Sequence, residues 1–311
     1  MNFGSILVTG GLGQIGSYIV EELISRQNVD HIYILDNLSS NKITEPLSQA
    51  ELIKADIRSH NDVIDIMHDG KIEAVIHTAA QISVPYSTKS PRIDASVNIM
   101  GTLNLLDAAI KNEIEYFITF GSAAAIGEPK YLPVDPSHPR NPKSPYGISK
   151  AASEQYTLKY GETYNVHYNV IRPFNVYSSR ISSGDPYSGV INVFKEQVRN
   201  NKPLTIHGDG SQTRDFIHAK DVANICLKLL NSDFKASLVN AATGNGTSIL
   251  ELAKIIGNSS MDDFDIKYLE PREQDIDSSI GKKSQFLNGE YIRIINGIKS
   301  LLPLNIAKIQ D

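Results

Sequence analysis

The chain has 311 residues, 41% of them hydrophobic and 21% charged, with a formal net charge of -5. That length allows one large domain or two smaller ones, and the mildly acidic balance offers no basic field to nucleic acid or an anionic membrane. A single cysteine, Cys226, rules out an internal disulfide, and no stretch reads as a membrane span or secretory signal, so the expected location is cytoplasmic.

In chain order, an apolar β-like run from Ile6 to Val8 leads into TGGLGQIG at residues 9–16, at the mouth of a helical pattern from Ile15 to Ile24. Gly10, Gly13 and Gly16, with Gln14 and Ile15 between them, permit a tight turn that brings a pyrophosphate onto the free N–H groups of a helix start. The next β-like run, Ile32 to Leu35, ends at Asp36, whose carboxylate suits an adenosine ribose and repels a 2′-phosphate. Asn37 follows it rather than arginine, so NAD is expected over NADP. In Ala55-Asp56-Ile57, Asp56 has two readings, an acceptor for the adenine amino group or the N-cap of the helix after Ser59, and Ile57 is grouped with it. The run Ala74 to Ile76 is followed by His77-Thr78-Ala79-Ala80-Gln81, where Ala79, Ala80 and Gln81 let a dinucleotide cross the sheet edge and His77 reads as structural.

A helical pattern from Val97 to Ile110 precedes the β-like run Tyr116 to Phe120, which sets Ser122 at the carboxyl edge of the sheet, where ligands of such folds bind. Ser144 and Pro145 then read as N-cap and first position of a helix carrying Tyr146 and Lys150 on one face. A cation beside a phenol favours the phenolate, so Lys150 is expected to acidify Tyr146, although the spacing alone arises by chance on many helices. Helix Ala151 to Tyr160 and strand Tyr168 to Ile171 complete an alternation that predicts an α/β fold, a doubly wound parallel sheet with helices on both faces.

Beyond Pro173 the rhythm changes. A loop rich in Ser, Gly and Pro (Ser178 to Gly189) leads to a helix near Val190 to Val198, a strand at Leu204 to His207 and a turn at Gly208-Asp209-Gly210. A helix at Asp221 to Leu230 and a strand at Ser237 to Asn240 suit a return to the first sheet, and Gly244-Asn245-Gly246 reads as the opening of another helix. The expected division is residues 1–174 plus about 216–243, and a smaller mixed α/β unit of about 175–215 plus 244–311. Cys226 sits among apolar residues at helical spacing and reads as a buried thiol. No cluster has metal-ligand spacing, so no metal is expected.

Taken together, TGGLGQIG, Asp36-Asn37, HTAAQISV, GSAAAIG, YGISK, RPFNVY, GDGSQTRDFIH and NAATGNGTS occur in an order that resembles the extended short-chain dehydrogenase/reductase superfamily, and within it the NAD-dependent nucleotide-sugar epimerase/dehydratase family. The resemblance runs from residue 5 to about residue 280, with motifs nearest those of UDP-glucose and UDP-N-acetylglucosamine 4-epimerases. It implies a Rossmann domain for NAD and a C-terminal domain for a nucleotide sugar. It implies that Tyr146 is the acid/base, that Lys150 binds the nicotinamide ribose and lowers the tyrosine pKa, and that Ser122 hydrogen-bonds the reacting hydroxyl. Ser83 then contacts substrate, Asn175, Arg214 and Arg272 hold the diphosphate, and Ser279 lies where a small residue admits an N-acetyl group. Arg172 is assigned to structure. Helices near Asn98 to Ala109 and Ala151 to Tyr160 correspond to those that pair in related homodimers.

The chain also departs from the family pattern. Gly121 replaces a second Ser or Thr, Ile126 a tyrosine, and Tyr177-Ser178-Ser179-Arg180 the usual Tyr-Gly-Pro-Arg, while Glu273-Gln274 replace Pro-Gly and the last thirty residues lack the Gly-Trp-x-Pro turn. Ala123 and Ala124 stand where dehydratases of the family carry an Asp-Glu pair, which favours 4-epimerisation. Dehydratase, decarboxylase and 4-ketosugar reductase activities remain alternatives, as does a non-catalytic NAD sensor on the same fold.

Overall fold

The computed structural model describes residues 1–39, 48–180, 189–260, 264–272, 275–287, 289 and 291–302. In chain order the elements are β1 (Phe3–Thr9), α1 (Gly16–Arg26), β2 (Val29–Asp36), β3 (Glu51–Lys54), α2 (His60–Asp69), β4 (Ala74–His77), α3 (Val84–Lys89), α4 (Pro91–Ala95), a π-helical stretch (Ser96–Met100), α5 (Gly101–Lys111) and β5 (Tyr116–Phe120). They continue with α6 (Pro145–Tyr164), β6 (His167–Pro173), β7 (Asn175–Tyr177), α7 (Val190–Arg199), β8 (Leu204–His207), β9 (Thr213–His218), α8 (Ala219–Leu230), β10 (Leu238–Ala241), β11 (Gly246–Ser248), α9 (Ile249–Ser260), β12 (Ile266–Leu269), β13 (Ser278–Ser279) and α10 (Ile294–Leu301).

Seven parallel strands form the main sheet in the order β10-β6-β5-β4-β1-β2-β3. Alternate residues of a strand point to opposite faces, so β1 feeds two cores at once. Ile6 and Val8 pack with Ile19 and Leu23 of α1 and Ile225 and Leu229 of α8, whereas Leu7 joins Val75, Phe117, Val63, Met67, Leu105 and Leu106 on the other side. Burial on both faces is why these strands read as nearly continuous apolar runs. Chain order reverses beside β1, where β2 lies on one flank and β4 on the other. That switch opens a crevice at the carboxyl ends of the strands.

As expected, β10 returns to the main sheet, pairing with β6 from Leu238↔Val170 to Ala241↔Pro173. A second sheet gathers around β9, which pairs with β7, β11 and β13, while β8 pairs with β12. Its core joins Phe194, Leu204, Ile206, Leu252, Ile256 and Ile298. Gly244-Asn245-Gly246 does not open a helix directly. Gly246 starts β11, antiparallel to β9, because the backbone groups of residues 246–248 pair with Asp215, Arg214 and Thr213 before α9 begins at Ile249.

Candidate active site

The glycine turn after β1 depends on its lack of side chains. Gly10 has φ +65°, and a Cβ on Gly16 would lie 2.3 Å from the Gly10 carbonyl oxygen. Gly10 N–H donates to Leu35 O (2.8 Å), and Gly13 N–H to Gly10 O (2.9 Å). Ile15 occupies the N-cap of α1 and makes no side-chain cap bond, so no side chain competes at the helix start, although Ser17 N–H donates to Gly13 O at 3.0 Å. A helix start of this kind fits a pyrophosphate. Asp36, at the end of β2, accepts from Leu12 N–H (3.3 Å) and Leu38 N–H (2.9 Å), which seats its carboxylate against the glycine turn.

Asp56 is not the N-cap of α2; Ser59 is. Asp56 instead accepts from the Arg58 guanidinium (2.7 and 2.9 Å) and from Asn37 Nδ2 (3.0 Å). Those bonds, the Arg58 side chain first among them, hold its carboxyl well below the usual carboxylate range. The structure thus joins Asn37 and Asp56 beside Asp36. Ile57 is buried against α5, where a Cβ on Gly101 would meet Ile57 Cδ1 at 2.5 Å, so its side chain belongs to the core.

Nearer the reacting end, a cleft of about 290 Å³ is lined by Gln14, Ile15 and Ala80 on the cofactor side, Ser122, Tyr146 and Lys150 on its floor, and Asn175, Val190 and Asn192 opposite. Ala79 N–H donates to Thr9 Oγ1 at 3.3 Å, while Gln81 and Ser83 lie beyond the lining in a loop described below. Local signals place the floor. Ser144 Oγ accepts from Gly147 N–H (3.1 Å), Pro145 takes the first turn, and α6 follows with Tyr146 and Lys150 one turn apart. Ser122 is extended at the end of β5 and caps the short 3-10 turn Ala123–Ala125, its Oγ accepting from Ala124 N–H at 3.1 Å. Ser122 and Tyr146 line the same cleft, and the serine hydroxyl acts to lower the Tyr146 pKa.

Burial dominates the electrostatics of the pair. Burial raises the Tyr146 pKa; the neighbouring Ser122 hydroxyl opposes the rise, and Asp94 and Glu154 add to it. Lys150 is itself buried, and loss of water pushes it down to about 8 while Glu154 and Asp94 hold it up. Desolvation of the phenol is the largest influence and sets the direction of its shift.

Beneath the pair, Glu154 is fully buried and receives Arg172 through two bonds (2.9 and 2.7 Å) and Arg140 through one (2.9 Å). Gly121 adjoins this carboxylate, since a Cβ there would lie 2.2 Å from Glu154 Oε1. Arg172 is therefore structural, as assigned. Asp94 and Asn98, both buried, had no motif to announce them; the available signal was Asp94, Asn98 and Thr102 recurring every four residues as a polar stripe. Cys226 is fully buried, and its surroundings push the thiol above its ordinary pKa.

Asn175, Arg214 and Ser279 lie on the second sheet, and Arg272 follows β12. Arg214 and Ser279 are direct partners across β9 and β13, and Asn175 faces Phe216 across β7 and β9. Arg214 is mostly buried and paired with Asp275 at 2.6 Å, whereas Arg272 is exposed. Asn175 lines the cleft, but Arg214, Arg272 and Ser279 do not. Glu273-Gln274 lie outside the described residues. Among the described residues, no group of three or more His, Cys, Asp or Glu side chains converges to hold a metal, and no helix is long and apolar enough to cross a membrane.

A Rossmann sheet with a glycine turn, an acidic residue closing β2 and a Ser-Tyr-Lys floor defines an NAD-linked oxidoreductase-type site. Residues 6–242 match the profile of the NAD dependent epimerase/dehydratase family, and the chain belongs to that family. A protein of Methanocaldococcus jannaschii, named provisionally as a UDP-glucose 4-epimerase, is 41% identical over 274 residues, 87% of each chain. UDP-glucose 4-epimerase of Mycolicibacterium smegmatis is 34% identical over 81% of this chain and 82% of its own. Among solved structures, UDP-N-acetylglucosamine 4-epimerase from Methanobrevibacter ruminantium M1, in complex with UDP-N-acetylmuramic acid, superposes with a TM-score of 0.89 at 33% identity over 97% of both chains.

Proposed function

We propose that the chain is an NAD-dependent 4-epimerase of nucleotide sugars, with UDP-glucose and UDP-galactose as the leading pair and the N-acetylhexosamines as a second. Bound NAD supplies a hydride acceptor that returns the hydride within the same turnover. Tyr146 takes the C4 hydroxyl proton and gives it back, Ser122 orients that hydroxyl, and Lys150 holds the nicotinamide ribose. The substrate passes through a 4-keto sugar, whose rotation exposes its other face to the returning hydride.

One observation carries the choice of epimerisation over dehydration. Among the described residues lining the cleft, the ionisable side chains are Tyr146, Lys150 and Tyr177, and none is a carboxylate. Ala123 and Ala124, directly after Ser122, supply none either. Elimination of water from the 4-keto sugar needs a further acid and base beyond the tyrosine. Epimerisation needs none.

Residues 1–174 plus about 216–243 serve NAD in this reading, and 175–215 plus 244–311 serve the nucleotide, with β9 crossing the boundary. Arg214, Arg272 and Asn175 meet the diphosphate, Ser83 meets the sugar, and the small Ser279 beside Arg214 leaves room for a C2 acetamido group. A homodimer through the π-helical stretch, α5 and α6 fits the exposed Met100, Ile148 and Tyr156, and light scattering tests it.

Incubation with UDP-glucose and UDP-N-acetylglucosamine, read by mass and proton NMR, tests the function. The expected products have unchanged mass and a mixture of gluco and galacto configurations. A product lighter by water, or stoichiometric consumption of added reduced nicotinamide, overturns the reading.

A further inference from the structure

Asp94 lies in α4, outside every motif discussed above, and only 1% of its surface is exposed. A carboxylate so deeply placed needs partners. Its Oδ1 accepts from Gln81 Nε2 at 2.6 Å and from Asn98 Nδ2 at 3.2 Å. Each partner reaches a different part of the site.

The Gln81 amide fastens the loop after β4. Its Oε1 accepts from Ser83 N–H, and its Nε2 also donates to Ser83 O at 3.2 Å. Ser83 in turn caps α3, with Oγ accepting from Tyr86 N–H at 3.1 Å. Asn98, in the π-helical stretch, reaches the other way. Its Nδ2 donates to Ser149 Oγ at 3.0 Å, and Ser149 Oγ donates to the Tyr146 carbonyl at 3.0 Å. Asn98 also closes back on the loop, donating to Gln81 O and accepting from Gln81 N–H, both at 2.9 Å.

We propose that Asp94 is a positioning residue that ties the Gln81–Ser83 loop to the helix carrying Tyr146 and supplies part of the fixed negative charge beside Lys150. One carboxylate thereby sets the spacing between the sugar-side loop and the acid/base.

The groups that face Lys150 agree with that role. Among the described residues they are Tyr146 and Glu154 on its own helix, His77 from β4 and Asp94 from α4, with Glu154 neutralised in large part by Arg172 and Arg140. Among the described residues Asp94 has no such arginine pair; its charge ranks after that of Glu154 at Lys150 and ahead of it at Tyr146. It favours the ammonium of Lys150 and disfavours the phenolate of Tyr146. Removing the charge moves both titrations in the same direction, toward acid.

This inference rests on Tyr146 and Lys150 being the acid/base and ribose residues, and two measurements separate its failure from theirs. In NAD-loaded protein labelled with 13Cε-lysine, the Lys150 resonance, assigned by its loss in Lys150→Arg, is titrated in the natural chain and in Asp94→Asn. Asparagine keeps the acceptor oxygen and removes the charge, so the Lys150 midpoint falls by about half a pH unit or more. The pH profile of kcat/KM is the second readout. Both limbs move toward acid in Asp94→Asn with little loss of height, while Asp94→Ala adds a fall in kcat through the released loop. Unmoved limbs and an unmoved Lys150 midpoint in Asp94→Asn overturn the proposal. The titration needs no turnover, so a chain inactive on every sugar would sink the functional reading and leave Asp94 to be judged by the midpoint.

Discussion

The floor of the cleft and the wall expected to meet the nucleotide are built in opposite ways. Tyr146, Lys150, Glu154 and Asp94 sit in a mesh whose bonds join residues distant in sequence, such as Asn98 to Ser149 and Arg172 to Glu154. On the wall, Arg214 is held by one ion pair to Asp275, Arg272 is exposed, and Ser279 lies on a two-residue strand. A floor that must hold reacting atoms in one geometry tolerates little change. In the proposed reaction the wall selects the nucleotide sugar, and none of the bonds of the mesh named above involves a wall residue.

The largest expected effect breaks the comparison at the floor. Tyr146→Phe removes the proton acceptor and donor and should lower kcat by about 10²- to 10⁴-fold with KM almost unchanged. Steady-state rates on UDP-galactose check this, and full activity would sink the assignment of the floor as the chemical site.

Next in size is the buried Glu154. Its truncation in Glu154→Ala leaves Arg172 buried without its partner, at a cost of about 3–5 kcal/mol. Urea unfolding followed by circular dichroism measures it. A midpoint equal to that of the natural chain would mean the mesh does not fix the floor.

His77 sharpens the same point through pH. Burial, then the Lys150 charge, depresses its pKa from 6.5 to about 3, while the ring bridges Thr9 Oγ1 (2.8 Å) and Thr102 Oγ1 (3.0 Å). Above pH 6.5 the ring is neutral folded or unfolded, and its contribution to stability is complete. As pH falls from 6.5 toward 3 the unfolded chain takes up a proton that the fold refuses, so stability is lost across that window. Denaturation at a series of pH values should show a shallower acid loss in His77→Gln.

The smallest effect lies on the wall. Arg214→Ala should raise KM for the nucleotide sugar by about 10- to 100-fold, as expected for a lost charged hydrogen bond, with kcat within about threefold. A fall in kcat without a change in KM would place Arg214 with the floor instead.

Legibility in the sequence followed the range of the interactions. Ser144, Pro145 and the apolar run Tyr116 to Phe120 act within a few residues of themselves, and the helix and strand formed where their local chemistry put them. The doubly wound sheet followed from alternation, which is also local. Asp94 and Glu154 were invisible as partners because Gln81, Asn98, Arg140 and Arg172 meet them only after folding. The rise in the Tyr146 pKa was hidden for the same reason, since desolvation is a property of the assembled cleft. Asp56 had two local readings, and the fold removed the N-cap one by placing Ser59 at the start of α2 and Arg58 and Asn37 on the Asp56 carboxylate.

Ile15 at the start of α1 leaves that turn without a side-chain cap. An anion seated there does the work that a serine or aspartate does at other helix starts, so the melting temperature becomes a gauge of how much of a preparation carries NAD. A hundredfold excess of the dinucleotide over its dissociation constant adds about 2.7 kcal/mol. Batches that differ in heat resistance would then differ in loading, and incubation with NAD before heating should bring them together.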